Sequence, residues 1–78
     1  MSIGYAFKTV RLNKKASRSR IGVKLGRLCI CNDIAASTVA ETMGVSRQTV
    51  YNWFAGITNP HKQHVEKILD LINSFKRK

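Results

Sequence analysis

Residues 36–56 read ASTVAETMGVSRQTVYNWFAG, and their apolar positions form two short helical patterns that meet at Gly44. Val39, Ala40 and Met43 share one helical face before the glycine, and Val50, Trp53 and Phe54 recur at three- and four-residue intervals after it. Gly44 suits the unusual backbone angles of a tight turn, and Val45 is placed to plug beneath that turn. Ser46 is placed as N-cap of the second helix, its hydroxyl accepting from the amide of Gln48 or Thr49. Ala40 falls where the two helices cross, so a larger side chain there would force them apart. Gly56 ends the second helix. With Val50, Trp53 and Phe54 turned inward, Arg47, Gln48, Thr49, Tyr51 and Asn52 are left on the outer face or its rim.

Upstream, Ser19 is a candidate cap for a helix whose apolar stripe is Ile21, Leu25 and Leu28, with Lys24 and Arg27 lying off it. Gly22 and Gly26 weaken that helix by about 1 kcal/mol each relative to alanine. They are four apart and share a face, which fits either close approach of a neighbouring backbone or simple tolerance. Asn32 and Asp33 break the pattern, and Ile34 anchors the link to the next helix. Before Ile21 the chain carries Lys8, Arg11, Lys14, Lys15, Arg18 and Arg20 without one acidic residue, which reads as a charged arm. Its first part is too apolar for a solvated tail alone. Tyr5, Phe7 and Thr9 alternate as in a short strand, while Phe7, Val10 and Arg11 fit a helical turn, and the residues leave both open. Downstream, Asn59 and Pro60 are placed to cap and start a last helix with an apolar face of Val65, Ile68, Leu69, Ile72 and Phe75. Lys76, Arg77 and Lys78 suit either the negative end of that helix's dipole or a phosphate.

Seventy-eight residues suffice for one domain with a modest core. Fourteen Lys and Arg against four Asp and Glu give a formal net charge of +10, which concentrates polyanions around the chain. Nucleic acid is the first partner this implies; an acidic membrane surface or an acidic protein comes second. Cys29 and Cys31 are one residue apart, an awkward spacing for a mutual disulfide, and read as reduced small apolar residues. His61 and His64 have the wrong spacing to complete a zinc site with them, so no metal and no other cofactor is expected. The acidic residues Asp33, Glu41, Glu66 and Asp70 show no paired or metal-binding arrangement, and no nucleophile sits beside a base, which argues against an enzyme. The two histidines read as surface positions. No apolar run approaches a membrane span and no signal peptide is visible, so an intracellular, cytoplasmic location is expected.

The paired helices have the layout of a helix-turn-helix, whose second helix enters a major groove. On that reading Arg47 addresses guanine O6 and N7, and Gln48 addresses adenine N6 and N7. Thr49 offers a hydroxyl and a methyl, and Asn52 follows one turn on as a further base reader. Backbone phosphates fall to Tyr51 and Ser46, to Lys14, Lys15, Arg18 and Arg20 of the arm, to Ser37 and Thr38, and to Thr58, Asn59 and Lys62 after the motif.

Through Leu25, Leu28, Ile34, Val39-Ala40, Met43-Gly44-Val45-Ser46, Val50, Trp53, Gly56 and Pro60, the chain resembles the Cro and CI repressor type of helix-turn-helix domain over about residues 21–72. The resemblance implies an all-α, four-helix, lambda repressor-like domain over residues 20–78, preceded by the basic arm of residues 1–19. It implies a sequence-specific transcription regulator, a phage or mobile-element repressor that binds an inverted-repeat DNA operator as a homodimer. Two departures stand out. Family members often place Ser at the cap of the first motif helix and Gln after it, the Gln approaching a phosphate; here those positions are Ala35 and Ala36, leaving Ser37 or Thr38 as substitutes. The family's fifth helix, which helps pair subunits, has no counterpart after the fourth pattern here. The rival readings are a small protein that inhibits a host enzyme or polymerase, and the DNA-binding part of a recombinase or transposase.

Overall fold

The computed structural model describes residues 7–17 and 19–76, which form α1 (Phe7–Lys15), α2 (Ile21–Cys31), α3 (Ala36–Met43), α4 (Arg47–Ala55) and α5 (Lys62–Lys76). The class is all-α, as the sequence implies, with five helices instead of four. The additional helix lies in the basic N-terminal segment, where Phe7 to Thr9 take the helical alternative and not the strand. Residues 3–6 of the strand alternative, Arg18, and the terminal Arg77 and Lys78 lie outside the described residues.

α1 forms because one of its sides is covered, although Leu12 is the one large apolar residue on that side beside small and polar ones. Thr9, Leu12 and Ala16 are half-buried at helical spacing, and Asn13 is 1 % exposed. The Asn13 amide nitrogen donates to the carbonyls of Val23 at 3.1 Å and Phe54 at 2.7 Å, tying α1 to α2 and α4 at once. Arg27 answers from α2: its Nη2 donates to the carbonyls of Asn13 at 3.2 Å and Lys14 at 3.4 Å, which the end of α1 leaves without helical partners. Residues 7–15 are therefore packed structure, and the boundary expected at 19/20 runs between helices that touch.

α2 packs against α1, α4 and α5, and α4 in turn against α1, α2 and α3. Being surrounded, α2 buries Val23, Leu25 and Cys29 completely, whereas Ile21 and Leu28 of the expected stripe are half-buried. Gly22 and Gly26 are there for close approach. A Cβ on Gly22 would lie 2.8 Å from the Trp53 Cβ and 2.9 Å from the Trp53 carbonyl oxygen, and one on Gly26 would lie 2.6 Å from the Phe54 Cγ. Ser19 does not cap α2. The N-cap is Arg20, without a side-chain cap bond, because the Ser19 hydroxyl and amide are taken by the Ser17 hydroxyl at 2.7 and 3.3 Å. The helix ends at Asn32, whose backbone and side-chain N–H groups both donate to the Leu28 carbonyl, and Asp33 follows at a φ of 55°.

α3 packs on α4, and Val39, Ala40, Met43, Val50, Trp53 and Phe54 form the joint core with Leu25 and Cys29. Ile34, Val45, Leu28 and Phe75 pack against its edge. α5 starts at Lys62, so Asn59 and Pro60 belong to the preceding loop and neither caps nor opens it; the first turn is closed by the His64 amide donating to the His61 carbonyl at 2.9 Å. Ile68 and Ile72 are buried as expected, but Leu69 is 47 % exposed and Leu71 flanks the core instead. His64 also differs from the surface position expected: it is half-buried, its ring centroid 5.6 Å from that of Trp53. Both cysteines are free; burial pushes the Cys29 thiol up to about 12, whereas Cys31 is exposed.

Candidate nucleic-acid interface

α4 presents its residues as the spacing predicts. Gly44 takes the left-handed conformation at φ 70°, the Val45 amide donates to the Ala40 carbonyl at 3.0 Å, and Ser46 caps the helix by accepting from the Thr49 amide at 3.2 Å. The turn thus delivers Arg47 and Gln48 to solvent in the first turn of α4, where free amides and the positive end of the helix dipole favour anions. Gln48 is held: its Nε2 donates to the Asn52 Oδ1 at 3.1 Å, so the two side chains form one unit along the face. Thr49 is half-buried and its hydroxyl lies 2.9 Å from the Ser46 hydroxyl, already engaged in the cap. Its methyl is the part of Thr49 not involved in that bond.

The residues expected to meet phosphate are placed less uniformly. Ser37 and Thr38 are exposed in the first turn of α3, whereas Ala35 is the N-cap with no side-chain bond and Ala36 faces the core at 3 % exposure. The polar pair of related domains is thus replaced by one bare cap and one packing residue. Thr58 and Asn59 are exposed in the loop after α4, and the Ile57 and Thr58 amides both return to the Asn52 carbonyl, at 2.9 and 3.4 Å. Lys62 is exposed at the start of α5. Arg20 is brought to the opposite end of α4 from Arg47: its Nη1 donates to the Gly56 carbonyl at 2.8 Å, complementing the negative end of that helix. Lys14 and Lys15 are exposed just past Asn13, which itself meets the Phe54 carbonyl, so they too sit towards the C-terminal end of α4. About 12 Å of helix separates that end from Arg47.

The N-terminal half of α1 instead lies beside the outer face of α4. Lys8, Thr9 and Leu12 share a groove of about 230 Å³ with Gln48, Tyr51, Asn52, Ala55 and Ile57. Treating the segment as an extended arm misses this neighbour; the signal for it is the three- and four-residue spacing of Thr9, Leu12, Asn13 and Ala16, easily overlooked because the side is not apolar. Tyr51 and Asn52 are half-buried in this setting, and Gln48 remains exposed.

Among the described residues no group of three or more His, Cys, Asp or Glu could hold a metal ion, and no helix is long and apolar enough to cross a membrane. No curated protein and no solved structure gives a significant match to the chain. A family model described as helix-turn-helix matches residues 33–74, which take in α3, the turn at Gly44, α4 and all but the end of α5, while α1 and α2 fall outside the matched range. With more than half of its length so matched, and with a capped α4 packed on α3 through a left-handed glycine turn, the chain belongs to the helix-turn-helix family of the Cro/C1 type, a family of DNA-binding regulatory domains.

Proposed function

We propose that this chain is a sequence-specific duplex-DNA-binding transcription regulator, a phage or mobile-element repressor that occupies an inverted-repeat operator as a homodimer in the cytoplasm. The observation that most supports this reading is the first turn of α4, where Arg47 and Gln48 are exposed on a Ser46-capped helix in a chain of net charge +10. Arg47 pairs with a guanine edge and Gln48, braced by Asn52, with an adenine edge; each such pair discriminates by about 1–3 kcal/mol. The Thr49 methyl faces a thymine. Ser46, Tyr51, Ser37, Thr38, Thr58, Asn59 and Lys62 serve the phosphates around the groove, and Lys14, Lys15, Arg18 and Arg20 add electrostatic attraction. Two protomers place their α4 helices in successive major grooves, with half-sites about 34 Å apart.

Selection from random duplexes, followed by footprinting at near-physiological salt, tests the reading directly. A palindromic footprint is the expected result, and Arg47→Ala should relax the preference at one base pair and cost about 1–3 kcal/mol of specific binding. Absence of any preferred sequence would sink it. Sedimentation with and without DNA tests the pairing: a monomer under every condition is incompatible with an operator read as an inverted repeat.

A further inference from the structure

We propose that the outer face of α1 is a second DNA-contacting surface, a phosphate-binding stripe formed by Lys8, Arg11 and Lys15 that extends the α4 reading face onto the flanking backbone of the same duplex. The proposal rests on α4 being the reading helix and adds to it an element that no family match covers, since α1 precedes the matched residues.

Three features of α1 point this way. Lys8, Arg11 and Lys15 are exposed and spaced by three and four residues, so they form one stripe, and with Leu12 they line a shallow groove of their own. Like charges at this spacing oppose helix formation by about 0.2–0.5 kcal/mol per pair, and α1 contains no acidic residue to relieve them. A polyanion laid along the stripe removes that repulsion. The stripe is also continuous with the reading face, because Lys8 lines both this groove and the one that holds Gln48, Tyr51 and Asn52. Finally, α1 is held in place by its opposite side, through Asn13 on the Val23 and Phe54 carbonyls and Arg27 on the Asn13 and Lys14 carbonyls. The stripe is therefore pre-positioned relative to α4, and little ordering cost attends its use. From Lys8 to Lys15 the helix rises about 10 Å, a length over which the stripe can meet more than one phosphate of a strand.

The test compares Lys8→Gln/Arg11→Gln with the charge-matched control Lys24→Gln/Lys67→Gln, whose residues are exposed on α2 and α5. Affinity for the selected operator and for a random duplex is measured across a salt series, with circular dichroism to establish that both variants keep their helices. Loss of two phosphate contacts should lower the slope of log affinity against log salt by about 1.8 for the α1 variant on both duplexes, with base preference unchanged and the control close to the parent. An α1 variant with the parent's slope, or a control that loses as much, would overturn the stripe while leaving the α4 reading intact. A parent with no base preference whose slope still drops in the α1 variant would remove the operator reading and keep the stripe. A parent that binds no duplex at any salt would remove both.

Discussion

Asn13 is the residue on which the docking of α1 turns. Its amide satisfies two carbonyls in a place shielded from water, so Asn13→Ala leaves both without that donor, at a cost of about 1–3 kcal/mol. Urea denaturation should show this as a lower midpoint. Asn13→Asp should be no better, because a carboxylate would face two carbonyl oxygens. Cys29 supplies a pH signature of the same core. With its thiol pushed up to about 12 from an ordinary 9.0, the folded state keeps a proton that the unfolded chain releases above pH 9. The unfolded state then binds fewer protons, so this contribution to stability is constant below pH 9 and is lost progressively above it. Cys29→Ala should flatten that alkaline decline in a pH series of denaturation curves. In the native protein at neutral pH, a thiol reagent should modify Cys31 rapidly and Cys29 only on the timescale of unfolding.

Between elements, the decisive contact is the approach of α2 to α4 across Gly22 and Gly26. Helix propensity alone favours Gly26→Ala by about 1 kcal/mol. The new methyl, however, would be 2.6 Å from the Phe54 Cγ and 2.8 Å from the Asn13 Nδ2, an overpacking that costs typically 1–3 kcal/mol and would also disturb the Asn13 bonds. Packing should win, and thermal unfolding should show Gly26→Ala melting below the parent. The reverse outcome would mean that α2 and α4 separate more readily than their contact implies. At the other end of α4, Ser46→Ala removes a cap worth about 1 kcal/mol and frees the Thr49 hydroxyl, so it acts on the placement of Arg47 and Gln48 as well as on stability.

At the scale of the whole molecule, α1 adds no residue to the hydrophobic core but covers the contact between α2 and α4 through Asn13, in a chain of 78 residues whose core is modest. Removing residues 1–16 should destabilise the remainder by about 3 kcal/mol or more, since it uncovers the Gly26–Phe54 contact and leaves the Val23 and Phe54 carbonyls without Asn13. A truncated chain that melts like the parent would show that α1 rests on the domain without supporting it. The same arrangement helps a protein of net charge +10 stay folded: the half-buried Arg27 and the exposed Arg20 both donate to carbonyl oxygens at helix ends.

Residues 36–56 by themselves determined the paired helices, the glycine turn, the Ser46 cap and the outward set of Arg47, Gln48 and Asn52. Local periodicity and capping chemistry suffice there, because every partner lies within a few residues. What only the tertiary structure decided is what the glycines of α2 are for, where Arg20 reaches, and that α1 is a helix at all. Each of those depends on a part of the chain brought from far along the sequence, as when Arg20 meets Gly56 across 36 residues and Asn13 meets Phe54 across 41. A buried asparagine and an arginine such as Arg20 read as solvated chain until the carbonyls they serve are in place. The covered side of α1 leaves a helical spacing in the sequence, at Thr9, Leu12, Asn13 and Ala16, but what that side packs on is set by the tertiary structure.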